Sequence, residues 1–418
     1  MNSPAPRCWP SREVRIAQVV ARLNIGGPAV HTVMLAGRFN EGNYRSLLIY
    51  GTPLEDEGDM SYLLEGGEVE AQAVPALSRE VSVAGDARAF AGVAGVFRRF
   101  RPHIVHTHAA KAGFIGRAAA AASGIRSCVH TFHGHTFAHY FGRAKTRAFL
   151  AVERSLAHLT SRIIAVTRQQ VDDLVKVYRV AGAGKVVCIP HGLDLSTFLR
   201  CEGARTVLRS RLGIGDDEPV VGIAGRLYPI KGHDLFIQSA ARLLRRREKV
   251  HFLIVGDGAE RPRLEEEARR LRIDANVHFV GWQRDMAGAY AAMDVVALTS
   301  LNEGSPLALI EGMASGRPAV STSAGGVPDL FVEPRRAGKL RVALNGILVD
   351  ERDPALFAEA LEMLLADREL RDGMGAQARR FARENFSEER MFDRIERLYL
   401  GLVPWSAPRE IAAYQAKG

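Results

Sequence analysis

Residues 303–326, "EGSPLALIEGMASGRPAVSTSAGG", read as a loop, a helix, a turn and a strand in direct succession. Ser305-Pro306 has the form of an N-cap followed by proline at the first helical position. Leu307, Ile310 and Ala314 then recur at helical spacing, Gly316 ends the helix, and "PAVSTS" follows as a short β-rich run. Between Glu303 and Arg317 the only charged residue is Glu311, four residues after Leu307 and on the same face. A carboxylate there requires a partner.

The same alternation of short β-rich runs with longer helical segments extends in both directions. "VRIAQVV", "HIVHTH", "SCVHTFH", "RIIAVT" and "KVVCIP" form one series, and "PVVGIAG", "VHFLIVG", "NVHFVG", "DVVALTS", "PAVSTS" and "GILVD" form a second. This is the pattern of parallel α/β sheets. The polar, turn-rich segment between the series puts a boundary near residue 200. We therefore expect two Rossmann-like α/β domains facing each other across a cleft. Residues 1–200 make the first, 201–390 the second, and 391–418 a C-terminal helix and tail that packs back on the first.

The chain has 418 residues, 47% apolar and 25% charged, and it contains no apolar run long enough to span a membrane. Its N-terminus lacks the charged-then-apolar layout of a signal peptide, which predicts a cytoplasmic protein. The four cysteines are scattered without C-x-x-C spacing, so they predict neither a zinc site nor a redox pair. The net charge of +9 is concentrated: residues 88–185 hold 16 basic residues against three acidic ones. Anionic ligands or an anionic membrane surface are the partners such a segment favours. The basic residues are not interleaved with aromatics and no nucleic-acid-binding signature is present, so no nucleic acid partner is expected.

Several stretches each offer an anion site. Gly26-Gly27 follow the first strand and precede a helix, so bare backbone N–H groups face whatever docks there. Gly304, Ser305 and Leu307 lie at a second helix start, and Arg226 and Lys231 of "GRLYPIKG" add two positive charges. Together they describe a diphosphate site, although "GRLYPIKG" lacks the G-K-[ST] ending of a P-loop and "GDGAER" lacks the third glycine of a dinucleotide fingerprint. Glu303 and Glu311, beside this positive charge, are suited to accept hydrogen bonds from sugar or ribose hydroxyls.

"EGSPLALIE" has the E-x7-E form, and with "GRLYPIKG", "NIGGPAVH", "HTHAAKAG" and "HTFHGH" the chain resembles the family-four (group 1) retaining glycosyltransferases of GT-B fold over nearly its whole length. The resemblance implies that Glu311 binds the ribose hydroxyls of a nucleotide-sugar and Glu303 the hydroxyls of the donor sugar. It gives Arg226 and Lys231 the diphosphate, assisted by backbone near Ser305 to Leu307 and by Gly26-Gly27. His133 resembles the histidine beside the donor sugar at the mouth of the acceptor site. Gly312 stands where alanine is common in the family and Asp329 where glutamate is common, neither at a donor contact. The chain contains no D-x-D, consistent with cationic side chains replacing a divalent ion; no metal and no cofactor are expected.

Seven of the 13 histidines fall between residues 103 and 139. His106 and His108, and His133 and His135, are spaced to point the same way on a strand, and with Lys111 they are expected to line an acceptor pocket. The basic segment favours an anionic, lipid-linked acceptor at the inner membrane face, as in building a capsule, exopolysaccharide or O-antigen. Two alternatives stay open: a nucleotide-sugar epimerase or hydrolase of the same architecture, and a metal-dependent hydrolase using the histidines. Against the second, residues 88–152 contain no Asp or Glu to support a metal.

Overall fold

In the computed structural model of the chain, the described residues are 12–24, 27–52, 59–67, 69–78, 82–134 and 143–403. The chain divides into two compact units, one formed by residues 1–191 with 389–418 and the other by residues 192–388.

The sheet of the first unit contains β1 (Val14–Val20), β2 (Tyr44–Tyr50), β3 (Glu70–Ala73), β4 (Ile104–His108), β5 (Ser127–Phe132), β6 (Arg162–Ala165) and β7 (Val186–Cys188). Their order is β3-β2-β1-β4-β5-β6-β7, and every pairing is parallel. Such a sheet is covered on both faces, which explains the near-continuous apolar strands. On one face Ala17, Val19 and Val105 pack with Val93, Val96 and Phe97 of the helix Val83–Phe100 and Ile115 of the helix Ala110–Ala122. On the other, Ile16, Ile104 and Val129 pack with Leu35 of the helix Gly27–Arg38 and with Met391, Phe392, Ile395 and Tyr399. Those four belong to the helix Glu388–Leu400, so the end of the described chain completes the first sheet.

The second unit holds β8 (Val220–Ala224), β9 (His251–Val255), β10 (Val277–Gly281), β11 (Val295–Leu298), β12 (Ala319–Thr322), β13 (Arg335–Ala337), β14 (Leu340–Ala343) and β15 (Gly346–Val349). Their order is β10-β9-β8-β11-β12-β15-β14-β13. The pairings are parallel as far as β15 and antiparallel for β14 and β13. The helices His233–Leu244 and Pro354–Ala366 cover one face through Phe236, Ile237, Phe357 and Leu361. The helix Leu307–Ala314 covers the other through Leu309, Ile310 and Met313.

All eleven β-rich runs read from the sequence are strands, within a residue or two of their ends. The strands not in those series are β2, β3 and the hairpin β13–β14. Proline shifts one boundary: Pro306, with ψ 78°, is itself the cap of the helix Leu307–Ala314, one residue later than the Ser305 cap expected. Its carbonyl accepts from the N–H of Ile310, while the N–H of Leu307 turns back to the carbonyl of Ser305.

Tyr399 fastens the last helix to the first sheet. Its hydroxyl accepts from Gln18 Nε2 at 3.0 Å and lies 2.6 Å from His106 Nδ1, and all three side chains are fully buried. Tyr399→Phe keeps the ring and orphans both partners, so unfolding stability should fall by about 1–3 kcal/mol. Urea titration checks this, with the midpoint lowered and the slope unchanged.

Candidate functional site

In the second unit, connections leave β8 and β11, which are neighbours in the sheet, towards opposite sides. The carboxyl ends of such a pair flank an open crevice where ligands collect in α/β sheets. The loop after β8 carries Arg226, whose guanidinium is exposed and lies 5.4 Å from the Tyr228 ring centroid. Its path is fixed from beside: Leu227 N–H donates to the Asp257 carbonyl and Glu260 N–H to the Leu227 carbonyl. A Cβ at Gly256 would lie 2.0 Å from the Gly225 carbonyl, and one at Gly258 2.5 Å from that of Leu227. The glycines of "GDGAER" are therefore required by backbone packing against the Arg226 loop.

Lys231 closes that loop and reaches the segment after β11. Its Nζ donates to Glu303 Oε1 at 2.7 Å, and Ser300 Oγ donates to the same oxygen at 2.6 Å. Both bonds fall on Oε1 of a carboxylate that is only 9% exposed. The backbone of Glu303 is held by the N–H of Gly326 on its carbonyl at 3.0 Å. Gly325 has φ +54°, and a Cβ there would lie 2.0 Å from that carbonyl oxygen. The Gly-Gly pair after β12 thus lets two loops meet and sets the height of Glu303. Gly304, Ser305 and Leu307 follow directly, each half-buried at the entry to the helix Leu307–Ala314.

Glu311 lies one turn into that helix. Its partner is the phenol of Tyr290, which donates to Oε2 at 2.9 Å, rather than a basic residue. Burial pushes the carboxyl up to about 7, with the Tyr290 hydrogen bond pulling the other way. Burial and the neighbouring carboxylate push the phenol well above its usual range, so it stays a donor. A Cβ on the adjacent Gly312 would lie 2.9 Å from both methyl groups of Val296, a local reason for glycine where the resemblance suggests alanine.

In the first unit the corresponding neighbours with diverging connections are β1 and β4, and the histidines gather at their carboxyl ends. His106 is fully buried, with Nε2 2.7 Å from Thr131 Oγ1 and Nδ1 on Tyr399. His108, also fully buried, has Nε2 2.9 Å from Gln18 Oε1 and Nδ1 3.0 Å from His133 Nε2. His133 in turn has Nδ1 3.0 Å from His191 Nε2. His31 packs edge-on against His108, His133 and His191. Burial lowers the pKa of each of these imidazoles, to about 3 for His106 and about 4 for His191, so all are neutral at pH 7. Ring nitrogens of His31, His108 and His133 lie within 4.8 Å of one another and could hold a metal ion. Lys111 pairs with Asp86. Gly27 begins the helix Gly27–Arg38, while Gly26 and His135 lie outside the described residues.

The structure therefore brings Lys231 and Glu303 into contact, puts Glu311 on the helix that follows, and joins the buried His106 and His108 with the half-buried His133 in one group. Sequence reading missed Tyr290, Ser300, Gln18, Tyr399, His31 and His191 as members of these groups. Ser300 and His191 left a trace, since Ser300 ends the run "DVVALTS" and His191 follows "KVVCIP", and His31 ends the quoted stretch "NIGGPAVH".

Two profiles match the chain: "Glycosyl transferases group 1" over residues 204–381 and "Glycosyltransferase Family 4" over residues 25–197. The chain is 27% identical, over 80% of its length and 84% of the relative's, to UDP-Gal:alpha-D-GlcNAc-diphosphoundecaprenol alpha-1,3-galactosyltransferase of Escherichia coli. It is 31% identical to D-inositol 3-phosphate glycosyltransferase of Salinispora arenicola, over 71% of this chain and 68% of that one. In fold it matches the Anabaena protein HepE, solved in complex with UDP, with a TM-score of 0.77 and 21% identity, covering 93% of this chain and all of that one.

Glu311 has a thermodynamic signature that needs no ligand. Its folded pKa of about 7 exceeds the ordinary 4.5, so its contribution to stability is full below about pH 4.5 and is lost as pH rises through 7. The buried neutral histidines act in the opposite sense, so the comparison is between wild type and Glu311→Gln. The wild type should lose up to about 3 kcal/mol relative to the variant between pH 4.5 and 8. Denaturant titrations at a series of pH values read this directly.

Proposed function

The chain belongs to the group 1, family 4 glycosyltransferases and uses a nucleotide-sugar donor, and from that premise we propose that it transfers a hexose with retention, without a metal ion, to an anionic lipid-linked saccharide in surface-polysaccharide assembly. The observation that carries this reading is the contact of Lys231 with Glu303 at the carboxyl ends of β8 and β11. Breaking the sugar–phosphate bond leaves negative charge on the departing diphosphate. Lys231 and Arg226 stabilise that charge as it grows, the task a divalent ion performs elsewhere. Backbone at Gly304, Ser305 and Leu307 adds the positive end of a helix.

Before donor arrives, Glu303 holds Lys231 in place. On binding, the ammonium turns to phosphate oxygen while Ser300 keeps the carboxylate oriented towards the sugar hydroxyls. Glu311, aimed by Tyr290, accepts from the ribose hydroxyls. The carrier we propose is uridine diphosphate, the nucleotide in the Escherichia coli relative's name and in the HepE complex. The departing phosphate oxygen takes the acceptor's proton on the face from which it leaves, so the anomeric configuration is kept. On the acceptor side the role falls to His133, with His106 and His108 supporting it from the interior.

An anionic membrane surface is supported by the helix Arg143–His158. It exposes Lys145 and Arg147 together with Val152 at 40% exposure, and Leu159 just beyond it is 45% exposed. Among the described residues no helix is long and apolar enough to cross a membrane. A peripheral position at the inner face of the plasma membrane fits both features.

Lys231→Ala should lower kcat by about 100- to 1000-fold while the Kd for uridine diphosphate changes far less, with chelator present throughout. Steady-state kinetics and calorimetry test it; unchanged turnover would remove Lys231 from the reaction, and loss of wild-type turnover in chelator would restore a metal. Vesicle sedimentation tests the acceptor's setting. Binding should require anionic lipid, weaken with salt and fall by about 1 kcal/mol for each of Lys145→Glu and Arg147→Glu; equal binding to neutral vesicles would count against it.

A further inference from the structure

Once Lys231 turns to phosphate, Glu303 Oε1 is left with the Ser300 hydroxyl, so the aim of the carboxylate depends on the backbone that carries Ser300. That backbone lies just past the end of β11, where Thr299 and Ser300 are both buried and their carbonyl groups need donors. The Ser300 carbonyl accepts from Thr322 Oγ1 at 2.9 Å, and Leu301 N–H donates to the Ile230 carbonyl at 2.8 Å. Thr299 Oγ1 donates to the Lys231 carbonyl at 3.2 Å, which joins this backbone to the loop after β8. A further donor is Arg352, three residues past β15. Its Nη1 donates to the Thr299 carbonyl and, at 3.4 Å, to that of Ser300.

The guanidinium is placed by these carbonyls rather than by a carboxylate. Asp234 Oδ1 lies 4.0 Å from Arg352 Nη2 and its side chain is half exposed, a setting in which an ion pair contributes little. Gly232, the last residue of "GRLYPIKG", has φ +60°, and a Cβ there would lie 2.5 Å from both Arg352 Nη2 and the Thr299 carbonyl oxygen. The side chain missing next to Lys231 thus admits the guanidinium to the end of β11. A planar fork of N–H groups suits that narrow place better than the single charge of an ammonium. We propose that Arg352 is a positioning residue for the transfer, holding the backbone of Thr299 and Ser300 so that the Ser300 hydroxyl keeps Glu303 aimed at the donor sugar while Lys231 serves the diphosphate; this rests on the donor roles proposed above for Lys231 and Glu303. Arg352 acts through Ser300, and its own N–H groups stay on the protein's carbonyls.

Turnover is read as release of uridine diphosphate from UDP-galactose and from UDP-glucose, with water as acceptor. Local order is read as amide hydrogen exchange at Leu301 and Gly326, whose N–H groups donate to the Ile230 and Glu303 carbonyls. In Arg352→Ala, kcat should fall about 10- to 100-fold while the Kd for uridine diphosphate stays within about threefold, and exchange at both amides should quicken. Millimolar guanidinium should restore part of the lost kcat, and Arg352→Lys should lie between Arg352→Ala and wild type. In a Ser300→Ala background Arg352→Ala should cost far less than it does alone, because both act through Glu303. Arg247→Ala, which removes the partner of Glu362, is the control and should keep wild-type kcat. Unchanged kcat in Arg352→Ala, losses that add in full with Ser300→Ala, or a fall in kcat matched by lost uridine diphosphate affinity would each overturn the proposal. If wild type releases no uridine diphosphate, the donor reading fails by itself; unchanged exchange at Leu301 and Gly326 in Arg352→Ala then overturns the positioning role, and quickened exchange upholds it. Should Arg352→Ala fail to fold, Arg352→Lys and Arg352→Gln carry the same comparisons.

Discussion

Parallel strand pairing governs this molecule. A parallel pair cannot be joined by a tight turn, so outside the antiparallel β13–β14–β15 edge the strands are joined by crossovers, and each sheet is buried on both faces. Where crossovers from two adjacent strands leave in opposite directions, the loops part and backbone at the carboxyl edge is left facing open space. The first sheet has one such place, between β1 and β4, and the second has one, between β8 and β11. The candidate site residues gather at or beside these two places. One is filled with neutral imidazoles, the other with a lysine, an arginine and two carboxylates.

The two collections differ in how their polarity is tolerated. Around β8 and β11 the charges are partly exposed and paired: Lys231 keeps 26% of its side chain in solvent and leans on Glu303. In the proposed reaction that contact loses little when phosphate replaces the carboxylate as the ammonium's partner. Glu311 is the exception, buried and held by a phenol. A hydroxyl is a modest partner for an ionised carboxylate, so desolvation wins and the carboxyl remains close to half-protonated near neutrality. A ligand that supplies two further hydroxyl donors would shift the balance to the ionised form. At β1 and β4 most of the imidazoles are buried, so charge is suppressed and polarity survives as a chain of hydrogen bonds anchored by Gln18 and Tyr399.

The sequence carried the strands well because parallel strands are short apolar runs bounded by turn residues. β2 and β3 escaped the two series: "YRSLLIY" mixes polar and apolar residues, and "EAQA" is a mostly exposed edge strand. Arg226, Lys231 and Glu303 were legible as candidates because each follows a strand, and the topology gathers strand ends. Their partners were not. Tyr290 lies 21 residues before Glu311, and only the packing of two helical segments in the second unit brings phenol to carboxylate. Gln18 and Tyr399 are 381 residues apart and read as ordinary strand and helix residues until the last helix closes on the first sheet.

Glycine shows most clearly what a pattern can and cannot say. A G-x-G after a strand is read as a phosphate loop, yet Gly256 and Gly258 are needed because the neighbouring Arg226 loop passes within 2.0 and 2.5 Å of where their Cβ atoms would be. Gly325 works the same way against Glu303. In each case the missing side chain admits another loop of the protein, and that loop carries the charged residue. Glycine at a strand end thus marks close backbone approach, and only the neighbour's identity tells whether ligand or protein fills the space. Here protein fills it, which is how two loops far apart in sequence come to hold Lys231 and Glu303 at hydrogen-bonding distance.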